Sequence, residues 1–271
     1  MPGPVEIFRL NYTKADLAHI QEDDVVFFFM MCQLHNDIAA LLRIVFANWP
    51  DPASAEPIAA NRATTCFLAI RTLAGRLEEG CKSIKDLFGL SLKNYPLSQK
   101  AQASYQTLRI YFSTSNFIRL LRDNAANHHQ REPMREAWRL IPDNHEFTDF
   151  TARGLGNTVY WAAENVMTAN AILLAQKFQP DLDGRDALEW MIKEVSSMSD
   201  HFMSVTTGYC LGFFQTHLPE QLKKMNNQRE IVEAQPAQGE MQGVEFLYGP
   251  ADIRPEIANR HARRAAAKRV G

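Results

Sequence analysis

The stretch FLAIRTLAGRLEEGCKSIKDL, residues 67–87, carries the clearest structural signal in the chain. Its apolar residues recur every three or four positions, the spacing that aligns side chains on one face of an α-helix: Phe67, Ile70, Leu73, Leu77, Cys81, Ile84 and Leu87. Pro57 fits the first turn of this helix, where its missing N–H costs nothing. Gly89 is expected to close the helix. The stretch therefore predicts a long helix with one buried face.

The same period recurs on both sides of this helix. An earlier helix is predicted with Asp23 or Asp24 as its N-cap, and later helices with starts at Ser98 and near Asp183. The Ser-Thr-Ser-Asn run at 113–116 is expected to bend one helix or divide it in two. No Asn-Gly or Asp-Gly hairpin joins alternating runs. We therefore predict an all-α, up-and-down bundle of about five to seven helices.

Length and charge divide the chain into two parts. Its 271 residues are 46% apolar, enough for a substantial core, and residues 1–225 are predicted to form the helical bundle domain. Residues 226–271 are predicted to be a linker and a basic C-terminal tail. Residues 254–271 hold six Arg or Lys against one Glu, so the net charge of −2 leaves −7 on residues 1–253. Polyanion contact by the tail and a simple solvated chain end both fit this pattern.

Cysteine spacing and hydropathy indicate a cytoplasmic protein. The four cysteines form no C-x-x-C pair and lie in apolar runs, which favours inert packing in a reducing compartment. The N-terminus lacks the features of a secretion signal. The most apolar run, VVFFFMMCQL at 25–34, is followed at once by His35, Asn36 and Asp37. A membrane helix needs about 20 apolar residues, so we expect no membrane span.

Familiar catalytic and metal-binding motifs are absent from the sequence. None of the eight histidines has Glu three residues before it, and no H-E-x-x-H, G-x-x-x-x-G-K-[ST], G-x-G-x-x-G or G-x-S-x-G pattern occurs. We therefore expect no metal and no cofactor. The isolated histidines are expected to have packing or surface roles.

One stretch, RLLRDNAANHH at 119–129, departs from ordinary helix sequence. In an unbroken helix, Arg122 and His128 would point about 120° apart. If the helix ends at the Asp-Asn or the Asn-His step, His128 can fold back towards Arg122. An Arg can hold a phosphate and a His can move a proton. Metal-free RNA cleavage needs both, because one group must deprotonate the 2′-hydroxyl and another must stabilise the crowded phosphorane.

The segment RDNAANHH, residues 122–129, resembles the Arg-polar-x4-His signature of the HEPN superfamily, all-α proteins of bacterial toxin and defence systems. The resemblance implies a HEPN-like fold and a homodimer whose two motifs face each other across a cleft and cut RNA without metal. It assigns catalysis to Arg122 and His128, with Asp123 orienting or polarising them. A related subgroup has Lys, Phe and Tyr where this chain has Asn124, Asn127 and His129.

The resemblance also suggests partners and leaves one alternative open. RNA is the expected substrate, an antitoxin or other regulatory protein is the expected partner, and Asn127 and His129 are candidates for substrate binding. The alternative is a catalytically inactive helical interaction or nucleotide-binding module of the same fold. Activity needs Arg122 and His128 accessible and convergent in a cleft, whereas burial of either in an ion pair, such as Arg122 with Asp123 or Glu164, favours the inactive module.

Overall fold

Helices form most of the chain in the computed structural model, which describes residues 5–49, 53–91, 94–95, 97–126, 131–151, 158–225 and 229–232. The described residues hold eight α-helices: α1 (Glu22–Ala47), α2 (Glu56–Ser91), α3 (Gln99–Ser113), α4 (Phe117–Leu121), α5 (Arg131–Leu140), α6 (Trp161–Gln176), α7 (Gly184–His217) and α8 (Pro219–Met225). The predicted all-α bundle is confirmed. The number of helices exceeds the predicted range because the short α4 and α8 are separate elements.

The core lies between α1, α2, α3, α6 and α7. Helices α1 and α7 run antiparallel, since Phe28 stacks on Phe213 with ring centroids 4.1 Å apart and, further along, His35 Nδ1 lies 2.9 Å from Thr206 Oγ1. Phe28, Phe213 and Phe202 are completely buried. Burial of aromatic side chains of this size is a main source of stabilisation in such a bundle.

Several predicted helix boundaries are confirmed. Ser98 caps α3 by accepting a hydrogen bond from the backbone N–H three residues on, and Asp183 caps α7 in the same way. The polar run at 113–116 separates α3 from α4. Asn116 caps α4, since its Oδ1 accepts from the Arg119 N–H at 2.9 Å. Side-chain oxygens at these positions satisfy N–H groups that the helix leaves unpaired.

Two predicted boundaries are wrong. The N-cap of α1 is Gln21, and Asp23 and Asp24 lie in the first turn, where a negative charge also suits the helix dipole. Helix α2 continues through Gly89 and ends at Ser91. A glycine within a helix costs about 1 kcal/mol relative to Ala, which a long packed helix tolerates.

A small antiparallel sheet joins the two ends of the described chain. Strand β1 (Val5–Phe8) pairs with strand β2 (Arg229–Val232), with Val5 opposite Val232 and Phe8 opposite Arg229. Strand β2 lies within the stretch predicted to be linker, and four-residue strands are too short to give an alternating pattern that predicts them. The basic tail lies outside the described residues.

Helix α1 is the one helix among the described residues that is long and apolar enough to cross a membrane. That assignment rests on length and composition alone. In the most apolar 18-residue stretch of α1, 28% of the residues are buried within the bundle. Its polar residues have partners there, since Asp37 pairs with Arg76 of α2 at 3.4 Å. A single helix of this kind near the N-terminus is a weak indication of a membrane span, and a cytoplasmic location stays a prediction.

Substitution of Gly80 with Ala should destabilise the bundle. A Cβ atom at Gly80 would lie 2.6 Å from Cζ of Phe202, which is completely buried, so the ring or the helix must shift to make room for it. Overpacking of this kind costs about 1–3 kcal/mol, which exceeds the roughly 1 kcal/mol that Ala adds in helix propensity. Urea denaturation should therefore show a lower midpoint for Gly80→Ala.

Gly184→Ala is the matched control for that substitution. Gly184 is the first residue of α7, and an added Cβ would meet Ile172 Cδ1 at an ordinary 3.7 Å. We expect its midpoint to equal or slightly exceed that of the wild type. Equal midpoints for Gly80→Ala and the wild type would contradict the close contact of α2 with Phe202.

Acidification below neutral pH should also weaken the fold. Burial lowers the pKa of His35, and burial together with neighbouring His19 lowers the pKa of His217 from the ordinary value of 6.5. The unfolded chain then binds protons at a higher pH than the folded chain. The histidines' contribution to stability is therefore full above about pH 6.5 and is lost as the pH falls through their lowered values. The urea midpoint should be lower at pH 5.5 than at pH 7.5, and less so in a His35→Gln, His217→Gln double variant.

Candidate functional site

The site is built on α4 and on a π-helical turn, Arg122–Ala126, that follows it directly. Asn124 Nδ2 donates a hydrogen bond to the Leu120 carbonyl at 2.7 Å. In an α-helix, that carbonyl would accept from the backbone N–H of Asn124, so the side chain competes with the regular pattern. Of the two points at which the helix could end, the Asp-Asn step is excluded because helical winding continues through Ala126, and the Asn-His step lies outside the described residues.

Three carboxylates surround the guanidinium of Arg122: Asp123 next to it in the chain, and Glu78 and Glu79 of α2. Arg122 Nε and Nη2 donate to Asp123 Oδ1 at 2.8 and 2.6 Å. Its Nη1 donates to Glu79 Oε1 at 3.1 Å and lies 3.9 Å from Glu78 Oε1. The Arg122 side chain is 18% exposed. Arg122 and Asp123, predicted to act together, are therefore in contact.

Glu78 sits at the base of this cluster and is 3% exposed. Its Oε1 accepts from Arg119 Nε at 3.0 Å, while Oε2 has no hydrogen-bond partner within the part of the chain that the structure describes. Lys82 Nζ, one turn further along α2, lies 3.0 Å from Glu79 Oε1. Three cationic side chains thus face three carboxylates, and the cluster is close to neutral.

The balance of charges keeps Arg122 ionised. Burial disfavours its charge, but the hydrogen bond and charge of Asp123, with Glu78 and Glu79 nearby, outweigh that effect and raise the pKa of Arg122. The guanidinium is thus a permanent cation, and its hydrogen bonds to Asp123 and Glu79 fix its orientation. It is suited to binding a phosphate wherever one can displace a carboxylate.

The remaining predicted site residues, Asn127, His128 and His129, lie outside the described residues. The other acid considered as a partner for Arg122 has a different role. Glu164 binds Arg71 of α2, with Oε1 2.6 Å from Arg71 Nη1.

Sequence reasoning missed the residues that α2 contributes. Glu78 and Glu79 precede Arg122 by more than 40 positions and lie within the most regular helix of the chain, where acidic residues ordinarily face solvent. Their contact with the motif depends on how α4 docks on α2, which no local pattern reports.

No group of three or more His, Cys, Asp or Glu side chains within the described ranges could hold a metal ion. Comparisons with protein-family models, curated proteins and solved structures found no match to this chain. The geometry of the cluster around Arg122 is therefore the basis for a functional proposal.

Proposed function

We propose that this chain is a HEPN-like, metal-independent endoribonuclease that works as a homodimer. The observation that carries the proposal is the position of Arg122 on a π-helical turn, partly exposed and oriented by Asp123. Single π-helical turns within helices are often found at functional sites. The resemblance of residues 122–129 to the HEPN signature supports the same assignment.

The mechanism needs one proton-transfer group and one cation. His128 removes the proton from the RNA 2′-hydroxyl, and the 2′-oxygen then attacks the adjacent phosphorus. The bond from phosphorus to the 5′-oxygen of the next nucleotide breaks, which gives a 2′,3′-cyclic phosphate and a 5′-oxygen that takes up a proton to leave as a hydroxyl. Arg122 neutralises the negative charge that builds up on the crowded phosphate. Asp123 orients Arg122 through its two hydrogen bonds.

Glu79 is the carboxylate that a phosphate would displace. Its side chain is 58% exposed, so its pairing with Arg122 is an exposed ion pair whose loss costs about 1 kcal/mol or less. A phosphate could then take two parallel hydrogen bonds from the guanidinium. Glu78 remains beneath to hold the guanidinium in place.

Dimerisation is part of the proposal because the resemblance places the active cleft between two copies. Large apolar side chains on the bundle surface are consistent with an interface, since Val26, Phe29, Ile44 and Leu68 are all exposed. Light scattering of the purified protein should show twice the chain mass of 30.8 kDa.

The direct test is to incubate the purified full-length dimer with a pool of cellular RNAs in EDTA. The proposal predicts cleavage, and expression of an active toxin should also arrest growth until an antitoxin or regulatory protein is supplied. Intact RNA after incubation with a verified dimer would contradict the proposal.

The second candidate is a catalytically inactive helical interaction module. The ion pair of Arg122 with Asp123 favours it, because every hydrogen-bonding nitrogen of the guanidinium already contacts a carboxylate. In that case the role of Arg122 is structural, since its ion pair with Glu79 holds the end of α4 against α2. Arg122→Ala would then lower the urea midpoint while a verified dimer leaves RNA uncut.

A further inference from the structure

Two cysteines that are 178 positions apart meet between α1 and α7. Cys32 Sγ lies 3.6 Å from Cys210 Sγ, within hydrogen-bonding distance for two thiols. Both side chains are partly buried. One turn before the pair, Phe28 stacks on Phe213, and one turn after it His35 contacts Thr206. The two sulfurs are therefore held opposite each other by packed contacts on both sides.

The pair differs chemically from the other two cysteines. Burial raises the pKa of Cys66 to about 11 and also raises that of Cys81, so both remain protonated and unreactive. The hydrogen bond from Cys210 lowers the pKa of Cys32 against the effect of burial, while the same contact raises the pKa of Cys210. Cys32 is thus the more readily ionised thiol of the pair, and Cys210 is placed to donate a hydrogen bond to its thiolate.

We propose that Cys32 and Cys210 are a redox modification site that forms a reversible intramolecular disulfide on exposure to a peroxide. The Cys32 thiol loses its proton, the thiolate attacks one peroxide oxygen, and the O–O bond breaks to give sulfenic acid and hydroxide, which takes up the released proton to form water. The Cys210 sulfur then attacks the Cys32 sulfur and expels the hydroxyl group, which leaves as water with the thiol proton. In sum, two thiols are oxidised and one hydrogen peroxide is reduced to two waters.

The required movement is small. A disulfide bond is about 2.05 Å long, so the sulfurs must approach by roughly 1.5 Å. Cysteine side chains swing through such a distance by rotation about a single bond. Tyr12 packs beside the pair against Phe214, with ring centroids 5.9 Å apart. Burial, and after it the charges of Cys32 and Cys210, raise the pKa of the Tyr12 phenol.

The disulfide would tie the first long helix of the bundle to the last. The longer the loop that a cross-link closes, the more it restricts the unfolded chain, and this loop includes most of the domain. Oxidation should therefore stabilise the bundle without a change of fold.

The test uses the full-length protein, reduced and freed of reductant, with a stoichiometric amount of hydrogen peroxide. Thiols counted in denaturant should fall from four to two per chain, and peptide mapping should join the Cys32 and Cys210 peptides with the loss of two hydrogens. The melting temperature should rise by at least about 5 °C and return on addition of dithiothreitol.

Variants separate the pair from the other thiols. Cys66→Ser should still form the bridge and fall from three thiols to one. Cys210→Ser should stop at a Cys32 sulfenic acid that dimedone captures. Retention of all four thiols, a bridge between two molecules, or equal oxidation of Cys66 and Cys32 would overturn the proposal.

Discussion

Replacing His128 with Ala should lower the rate of RNA cleavage by about 100-fold or more, the usual contribution of a positioned acid–base group. Arg122→Lys should also be strongly damaging, because an ammonium group cannot reproduce the two parallel hydrogen bonds of a guanidinium. Initial rates on a fluorescent RNA, measured in EDTA, give both values. Dimer mass should be checked for each variant.

His129→Ala is the matched control, since it removes the neighbouring imidazole and leaves the HEPN-like pair intact. Its rate should stay close to that of the wild type. Equal rates for the wild type and His128→Ala would remove His128 from the mechanism, and the cleavage would then have to come from another source.

Replacing Arg71 with Met should lower the free energy of unfolding by about 3 kcal/mol. Arg71 Nη1 lies 2.6 Å from Glu164 Oε1, and the two side chains are only 16% and 8% exposed. Loss of Arg71 leaves the Glu164 carboxylate buried without its cation, which is far more costly than the loss of a surface pair. Urea denaturation at pH 7.5 measures the change.

The control for this experiment is a double variant, Arg71→Met with Glu164→Met. Removal of both charges leaves no unpaired group, so much of the lost stability should return. A double variant whose loss equals the sum of the two single losses would show that the two side chains do not interact.

The fold could be predicted from sequence where a signal is local. Apolar spacing in residues 67–87 predicted α2, and the polar side chains of Ser98, Asn116 and Asp183 mark helix starts because each binds a backbone group two or three residues away. The end of α2 was missed because a glycine permits a helix to end without requiring it. Pairing of β1 with β2 was missed because their partners are more than 200 residues apart.

In the candidate site, too, local contacts could be predicted from the sequence, whereas contacts that depend on helix packing could not. Arg122 and Asp123 are neighbours, and their contact could be anticipated from the motif. The contributions of Glu78 and Glu79 depend on the docking of α4 against α2, and the contact of Cys32 with Cys210 depends on the register of α1 against α7. The sequence predicted inert cysteines because each lies in an apolar run. The pattern of two apolar helices does not show which of their residues will be in contact, so the pairing of Cys32 with Cys210 could not be predicted.

The most direct measurement compares a short RNA that the protein cuts with the same RNA carrying a 2′-deoxy sugar at the cleaved position. We expect the all-ribose strand to be cut in EDTA and to end in a 2′,3′-cyclic phosphate, since the attacking oxygen is the RNA's own 2′-hydroxyl. The substituted strand should remain intact at that position. Cleavage of the 2′-deoxy strand, or all-ribose products that carry a 3′-hydroxyl, would contradict attack by the RNA 2′-hydroxyl.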